Sequence, residues 1–214
     1  MPAKAPKLPK SPAPAALADA CAAAIEGGEA IAGMRFESDA LEGVGAGSLE
    51  FEGCVFRGVT FSDCDIDRIH FADCAFERCD LSGFRLRDGA MRRVVFESCR
   101  ASGLQFEHMT LRDFAMRGCA LPYAGFIDCK LQDVRLEECL MAHGILHRCQ
   151  QRGLELADCR MDGIEIIETR MAGVDLSTCA LDGMRSAIAL LEGATVGLHQ
   201  APVLLGLCGI ALKV

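Results

Sequence analysis

The chain has 214 residues, 51% of them apolar, with 13 cysteines, 22 glycines, no tryptophan and a formal net charge of −8. That length suits one elongated domain with small end pieces. The acidic balance argues against ordinary nucleic-acid binding, which needs a basic footprint, and the longest apolar run, Ala201 to Leu212, is too short to span a bilayer.

Residues 1–14 carry Lys4, Lys7 and Lys10, interrupted by Pro2, Pro6, Pro9, Pro12 and Pro14, which predicts a disordered tail. No long apolar stretch follows, as a secretory leader would require, so the expectation is a cytoplasmic protein with reduced thiols. Next, Ala15 to Ile25 is Ala-rich and stopped by Gly27-Gly28, which predicts a helix inside a capping segment, 15–33. A solenoid exposes raw strand edges at its ends, and such a helix would cover one of them.

From Phe36 to Leu181 every fifth residue belongs to one line of thirty sites. Twenty-seven are Leu, Phe, Met or Ile, two are Ala46 and Ala101, and one is Gln151. No insertion or deletion shifts the phase. A period of five fits neither a helix nor a flat strand; it marks a repeat architecture. A second line, two residues earlier in each unit, holds eleven of the thirteen cysteines, and only Cys21 and Cys208 stand outside it. Each unit therefore has one large and one small inward residue, and three that face water or turn the chain.

The cysteines also show a longer period. Cys79, Cys99, Cys119, Cys139, Cys159 and Cys179 are twenty apart, while the positions midway between them hold Gly89, Met109, Cys129, Cys149 and Thr169. Four units thus make one lap, and like stacks on like. This predicts a four-sided parallel β-helix over 34–197, with thirty units giving about seven and a half turns and a rod of roughly 35 Å. Stacked cysteines about 4.8 Å apart could form disulfides on distance alone, but a reducing compartment makes them small hydrophobes.

Candidate chemistry is sparse. Cys139, His143, His147 and Cys149 give a spacing like that of a zinc site, yet the register puts the two thiols inward on different faces and the two imidazoles outward. No glycine-rich phosphate loop or nucleophile–base arrangement stands out, and a filled solenoid offers no cleft to dry out a reaction. The expectation is a non-enzymatic protein with no cofactor, no metal and no small-molecule substrate. Gln151, Asp39 and Pro122-Tyr123 read as structural irregularities: a bulge or a buried amide, an uneven first turn, and a distorted turn.

What remains is the exterior. From Arg35 to Glu77 there are ten acids against three bases, and from Arg78 to Arg117 eight bases against five acids. Arg92, Arg112 and Arg152, with Gln132 in the gap and Arg93 adjoining, fall on one face as either a solvated surface or a contact. The unit [Cys/Val/Leu]-x-[Leu/Phe/Met]-x-[Gly/Asp/Ser] resembles that of pentapeptide-repeat proteins, over about 34–184. The resemblance implies an all-β fold, a right-handed quadrilateral parallel β-helix with short helical caps. After Leu181 the regular pattern fades, and residues 198–214 are expected to form a C-terminal helix and tail. Leu191, Gly193, Gln200, Ala201, Leu204, Gly209, Ile210 and Ala211 resemble, in spacing, the terminal segment of the quinolone-resistance (Qnr-type) subfamily. That likeness implies a homodimer joined through this end, with Leu191, Leu204, Leu205, Leu207, Ile210 and Leu212 as the candidate contact; the alternative is a monomeric end cap. It also implies binding to DNA gyrase or topoisomerase IV by duplex mimicry, with Glu50, Glu52, Asp63, Asp65, Asp67 and Asp73 as the candidate partner surface and no direct contact with nucleic acid. The alternative is a general interaction scaffold with an unrelated partner. Two departures stand against the carry-over: the unbroken phase leaves no room for projecting loops, and the mid-rod arginines interrupt an acidic surface.

Overall fold

The computed structural model describes residues 3–213. They form a right-handed, four-sided parallel β-helix in which ladder residues from one coil to the next lie twenty positions apart. Met91 lies on Leu111, Leu111 on Leu131, and Phe56 on Phe76 and Phe96. The four faces are named here by the large inward residue of one coil: Leu81, Leu86, Met91 and Phe96. On the Met91 and Phe96 faces the strands join across the corner into eight-residue runs, such as Ala90–Glu97, Thr110–Arg117, Lys130–Glu137 and Gln150–Ala157.

Five residues suffice for one side because the corner is tight. The second residue after the large inward one adopts left-handed backbone at corner after corner: Gly53, Asp73, Arg93 and Asp113 down one edge, with φ between 52° and 62°. Where the residue is not glycine, that conformation costs on the order of 1 kcal/mol. Pairing with the coils above and below compensates for it. Tyr123, with φ 62°, fits this scheme, and Ala124 N–H donates to Leu121 O at 3.2 Å. Pro122 then sits at the second position of a β-turn, where its fixed φ is favourable. The Pro122-Tyr123 pair is therefore an ordinary corner rather than a distorted one.

The interior is filled. Phenylalanines stack down the Phe96 face, with ring centroids of Phe36, Phe56, Phe76 and Phe96 separated by 5.1, 4.4 and 4.5 Å. Beyond Phe126 the large line is Leu, Met and Ile apart from Gln151. There an interior gap beside Phe126, Leu146 and Met161 amounts to about 10 Å³, at the lower limit for one water. The small line packs as expected, with its cysteines buried except Cys64, which is half-buried. Gly89 breaks the line for a steric reason: a Cβ there would lie 1.8 Å from Ile69 O.

The ends extend the coil further than the repeat count implies, to about nine turns. At the N-terminus Ile31–Ala32 pairs with Phe51–Glu52, and Ala13–Pro14 pairs with Met34–Arg35. Helix α1, Leu17–Gly27, lies over this first coil with Leu17 and Cys21 buried. Its N-cap residue, Ala16, has no capping side chain. Asp39 supplies the missing acceptor from the rod: its Oδ2 takes the Leu17 N–H at 2.6 Å and its Oδ1 the Ala40 N–H at 2.8 Å. The polar residue at an inward position is thus the joint between cap and rod. Where a disordered tail is expected over 1–14, residues 3–14 run extended along the corner below: Pro9 meets Gly53, the Lys7 N–H donates to Asp73 at 2.8 Å, and the Lys4 N–H donates to Asp113 at 3.2 Å. Proline's extended preference suits such a path; residues 1 and 2 lie outside the described residues.

At the other end the ladder on the Met91 face stops after Gln150–Ala157. The Gln151 amide donates to the carbonyls of Arg170 and Ala172 at 3.2 and 3.0 Å, which is why a polar residue stands in the apolar line. A 3-10 turn at Ile188–Leu191, another at Leu198–Gln200 and helix α2, Ala201–Leu207, complete the chain. Gln200 is buried and plugs the open coil. Its amide donates to Leu176 O and Cys179 O at 2.7 and 2.6 Å, and its Oε1 accepts the Gly197 N–H at 2.8 Å.

Candidate interaction surfaces

All thirteen cysteines are free thiols. Ten of the eleven ladder thiols donate to the carbonyl two residues back and to one a coil earlier, Cys179 to the latter alone; Cys119 Sγ, for example, lies 3.4 Å from Arg117 O and 3.5 Å from Phe96 O. Thr169 makes the same pair of bonds with its hydroxyl, to Ile167 O and Leu146 O. The position therefore calls for a small side chain with a weak donor. Burial pushes the Cys21 thiol up to about 12 and raises the Cys64 and Cys74 thiols as well. A reactive thiolate needs exposure and a positive neighbour, and among the ladder thiols only Cys64 is not buried. The suspected zinc spacing does not assemble either. Cys139 and Cys149 donate to carbonyls on different faces, and His143 stacks on Tyr123 at a corner, 5.4 Å between ring centroids.

Outside, charges are arranged in columns twenty residues apart. On the Phe96 face Arg57 bridges Glu37 and Glu77, and Arg117 bridges Glu97 and Glu137. On the Leu81 face Arg100 pairs with Asp80, and on the Leu86 face Arg87 pairs with Asp65. Cross-strand pairs of opposite sign each contribute roughly 0.2–1 kcal/mol, so these ladders help set the register.

The six expected partner-surface carboxylates do not form one patch. Glu50 and Glu52 are exposed on the Met91 face, near its N-terminal end. Asp65 and Asp67 are exposed on the adjacent Leu86 face, with Asp63 at its far corner. Asp63 and Asp65 line an open depression of about 510 Å³ that Arg85 and Arg87 also line. Asp73 departs from the expectation: it is 7% exposed, bonded to Arg93 and covered by the N-terminal segment. The hydrogen bond from Arg93 holds its carboxyl below the ordinary value. Arg93 is likewise engaged at the corner and does not belong to the free arginine face.

The C-terminal residues also divide. Leu191 is buried in the core, and Leu204 and Leu207 pack against it. Leu205 is half-buried, while Ile210 and Leu212 are 51% and 54% exposed. Leu198, which the five-residue pattern gave no reason to single out, is 92% exposed. Beside this end, Ile166, Ile167, Ala187 and Leu190 line an open apolar groove of about 470 Å³. Among the described residues no helix is long and apolar enough to cross a membrane.

Comparison with known proteins agrees with this architecture. No curated protein is similar enough in sequence to match. Among solved structures, full-length QnrB1, a plasmid-mediated fluoroquinolone resistance protein, is similar at 21% identity with a TM-score of 0.52, over 84% of this chain and 92% of that one. HetL, a pentapeptide repeat protein involved in heterocyst differentiation regulation in the cyanobacterium Nostoc sp. strain PCC 7120, aligns at 10% identity with a TM-score of 0.41, over 85% and 94%. At 21% identity the likeness to QnrB1 speaks to the fold alone. The model of the pentapeptide repeat region matches residues 69–146 and 89–166, and that of pentapeptide repeats in nine copies matches 46–85. Together these span more than half of the sequence, in phase with the coil seen here, and the chain belongs to the pentapeptide repeat family.

Proposed function

We propose that this protein is a non-enzymatic cytoplasmic interaction protein that presents the acidic N-terminal part of its rod to a protein partner, with a type II topoisomerase, gyrase or topoisomerase IV, as the partner to test first. The observation that carries the reading is the exposed set Glu50, Glu52, Asp63, Asp65 and Asp67 on two adjacent faces of a rod whose interior is filled. A rigid rod with outward carboxylates offers a gyrase DNA channel the charge that duplex phosphates would offer. The likeness to QnrB1 supports the rod and leaves the partner to experiment. Helix α2 and the exposed Leu198, Ile210 and Leu212 are proposed to join two rods end to end.

Supercoiling and cleavage assays with gyrase, relaxed plasmid and a fluoroquinolone test the reading. Altered supercoiling or cleavage at micromolar protein, weakened by Glu50→Gln with Asp67→Asn, is the expected result. No effect on either enzyme would remove the topoisomerase and favour a scaffold for an unrelated partner.

A further inference from the structure

The cations of the Met91 face lack the carboxylate partners that many arginines elsewhere find one coil away. Elsewhere, Arg57 lies between Glu37 and Glu77, Arg117 between Glu97 and Glu137, and Arg93 on Asp73. Here Arg92 lies directly on Arg112, and Gln132 and Arg152 continue the column. The parallel column on the same face reads Thr110, Lys130, Gln150, with Arg170 one coil on. Like charges stacked at ladder spacing repel. Nothing on the face relieves them: its outward positions from 90 to 172 include no carboxylate. Arg92, Lys130, Arg152 and Arg170 are exposed, and Arg112 reaches only Asp113, at 3.9 Å.

The flanking corners do little to neutralise the patch. On one side Asp73 is taken by Arg93, and Asp113 is 4% exposed and accepts the Lys4 N–H, so the N-terminal segment adds Lys4 and Lys7 along this edge; Asp133 is half-buried. On the other side Asp128 is paired with Arg148, and His108 lies between Asp88 and Asp128. In a chain of net charge −8, this is a concentrated basic strip. It is one face wide and about four coils tall, or on the order of 15–20 Å.

We infer that this strip, centred on Arg92, Arg112, Lys130 and Arg152, is a docking surface for a short acidic segment of another protein. The choice over nucleic acid follows from the strip's size and surroundings. Carboxylates surround the strip: Glu50 and Glu52 precede it on the same face, Glu168 stands at the corner beside Arg170, and Glu155 and Glu165 lie on the two adjacent faces. A long polyanion would be repelled as soon as it left the strip, whereas a run of a few Asp or Glu residues fits within it. Exposed guanidinium groups in a fixed array are suited to bidentate carboxylate recognition. This surface is separate from the acidic one and does not depend on the identity of the partner proposed above.

The test is fluorescence anisotropy of a labelled penta-glutamate peptide with the full chain. Saturable binding is expected at about 50 mM salt, falling as screening increases. Arg92→Ala, Arg112→Ala and Arg152→Ala together should weaken it about tenfold or more. A control variant with Arg68, Arg78 and Arg85 changed to alanine has the same net charge and should shift it by less than about twofold. Circular dichroism of both variants checks that the rod is intact, and Lys130→Glu alone should weaken binding in the same direction. No binding at low salt overturns the inference, as does an equal loss in the control variant. Tighter binding of a 20-base-pair duplex, lost in the same triple variant, would replace the acidic protein segment with nucleic acid.

Discussion

At the scale of single residues, polar side chains where the regular coil ends satisfy backbone groups that it leaves open. Asp39 caps α1, Gln151 bonds carbonyls where a strand ladder stops, and Gln200 closes the last coil. Asp39→Ala removes an N-cap and is expected to cost about 1 kcal/mol. Gln200→Leu leaves buried carbonyls without a donor and should cost about 2–3 kcal/mol, both read from urea unfolding. Thiol titration separates buried from open cysteines: in the native state Cys208 should react at once, Cys64 slowly and the remainder only on unfolding. Asp73 ties stability to acid. Its folded value lies below its ordinary 3.8, so its contribution is complete above about pH 4 and is lost as pH falls through the folded value. Asp73→Asn should therefore flatten the stability profile below pH 4 and leave its shape above pH 5 unchanged. The apolar lines, and the need for polar residues within them to find partners, were legible in the sequence. Which carbonyls they would find was not, because those belong to residues about twenty positions away on a neighbouring coil.

At the scale of elements, the N-terminal segment is held by a few bonds and a short strand. Each ordered residue costs on the order of 1 kcal/mol in backbone entropy and few bonds hold the segment, so amide hydrogens of Lys4 and Lys7 should exchange far faster than those of Val94 or Phe114. Deleting residues 3–10 should move the melting temperature by no more than about 4 °C. The cap helix was legible from its alanines and the Gly27-Gly28 stop. The strap was not, since five prolines and three lysines read locally as disorder, and its acceptors Asp73 and Asp113 become neighbours only once the coil has wound.

At the scale of the whole molecule, the rod's ends decide its assembly and its sides decide its contacts. Leu198, Ile210 and Leu212 leave an apolar end uncovered. Light scattering is expected to give a mass near twice 22.9 kDa, and Leu198→Asp with Ile210→Asp to return it to one chain. A single-chain mass for the unaltered protein would make this end a cap alone. The family match secures the coil; it leaves the partner open, because the outward residues are free to vary without disturbing the fold.

Two periods, five and twenty, are local arithmetic that any segment of the repeat carries. They were enough to determine the four-sided column, its inward residues and the placement of Arg92, Arg112 and Arg152 on one side. The availability of each charge was decided only in three dimensions. Asp73 and Arg93 look like surface residues in the chain yet neutralise each other beneath the strap, while Arg92 and Arg112 look equally ordinary and are left stacked, with only Asp113 within 4 Å of Arg112. Inward packing depends on side-chain size at a fixed phase, which sequence records directly; charge pairing depends on what adjacent coils and the chain ends bring within a few ångströms, which only the folded molecule fixes.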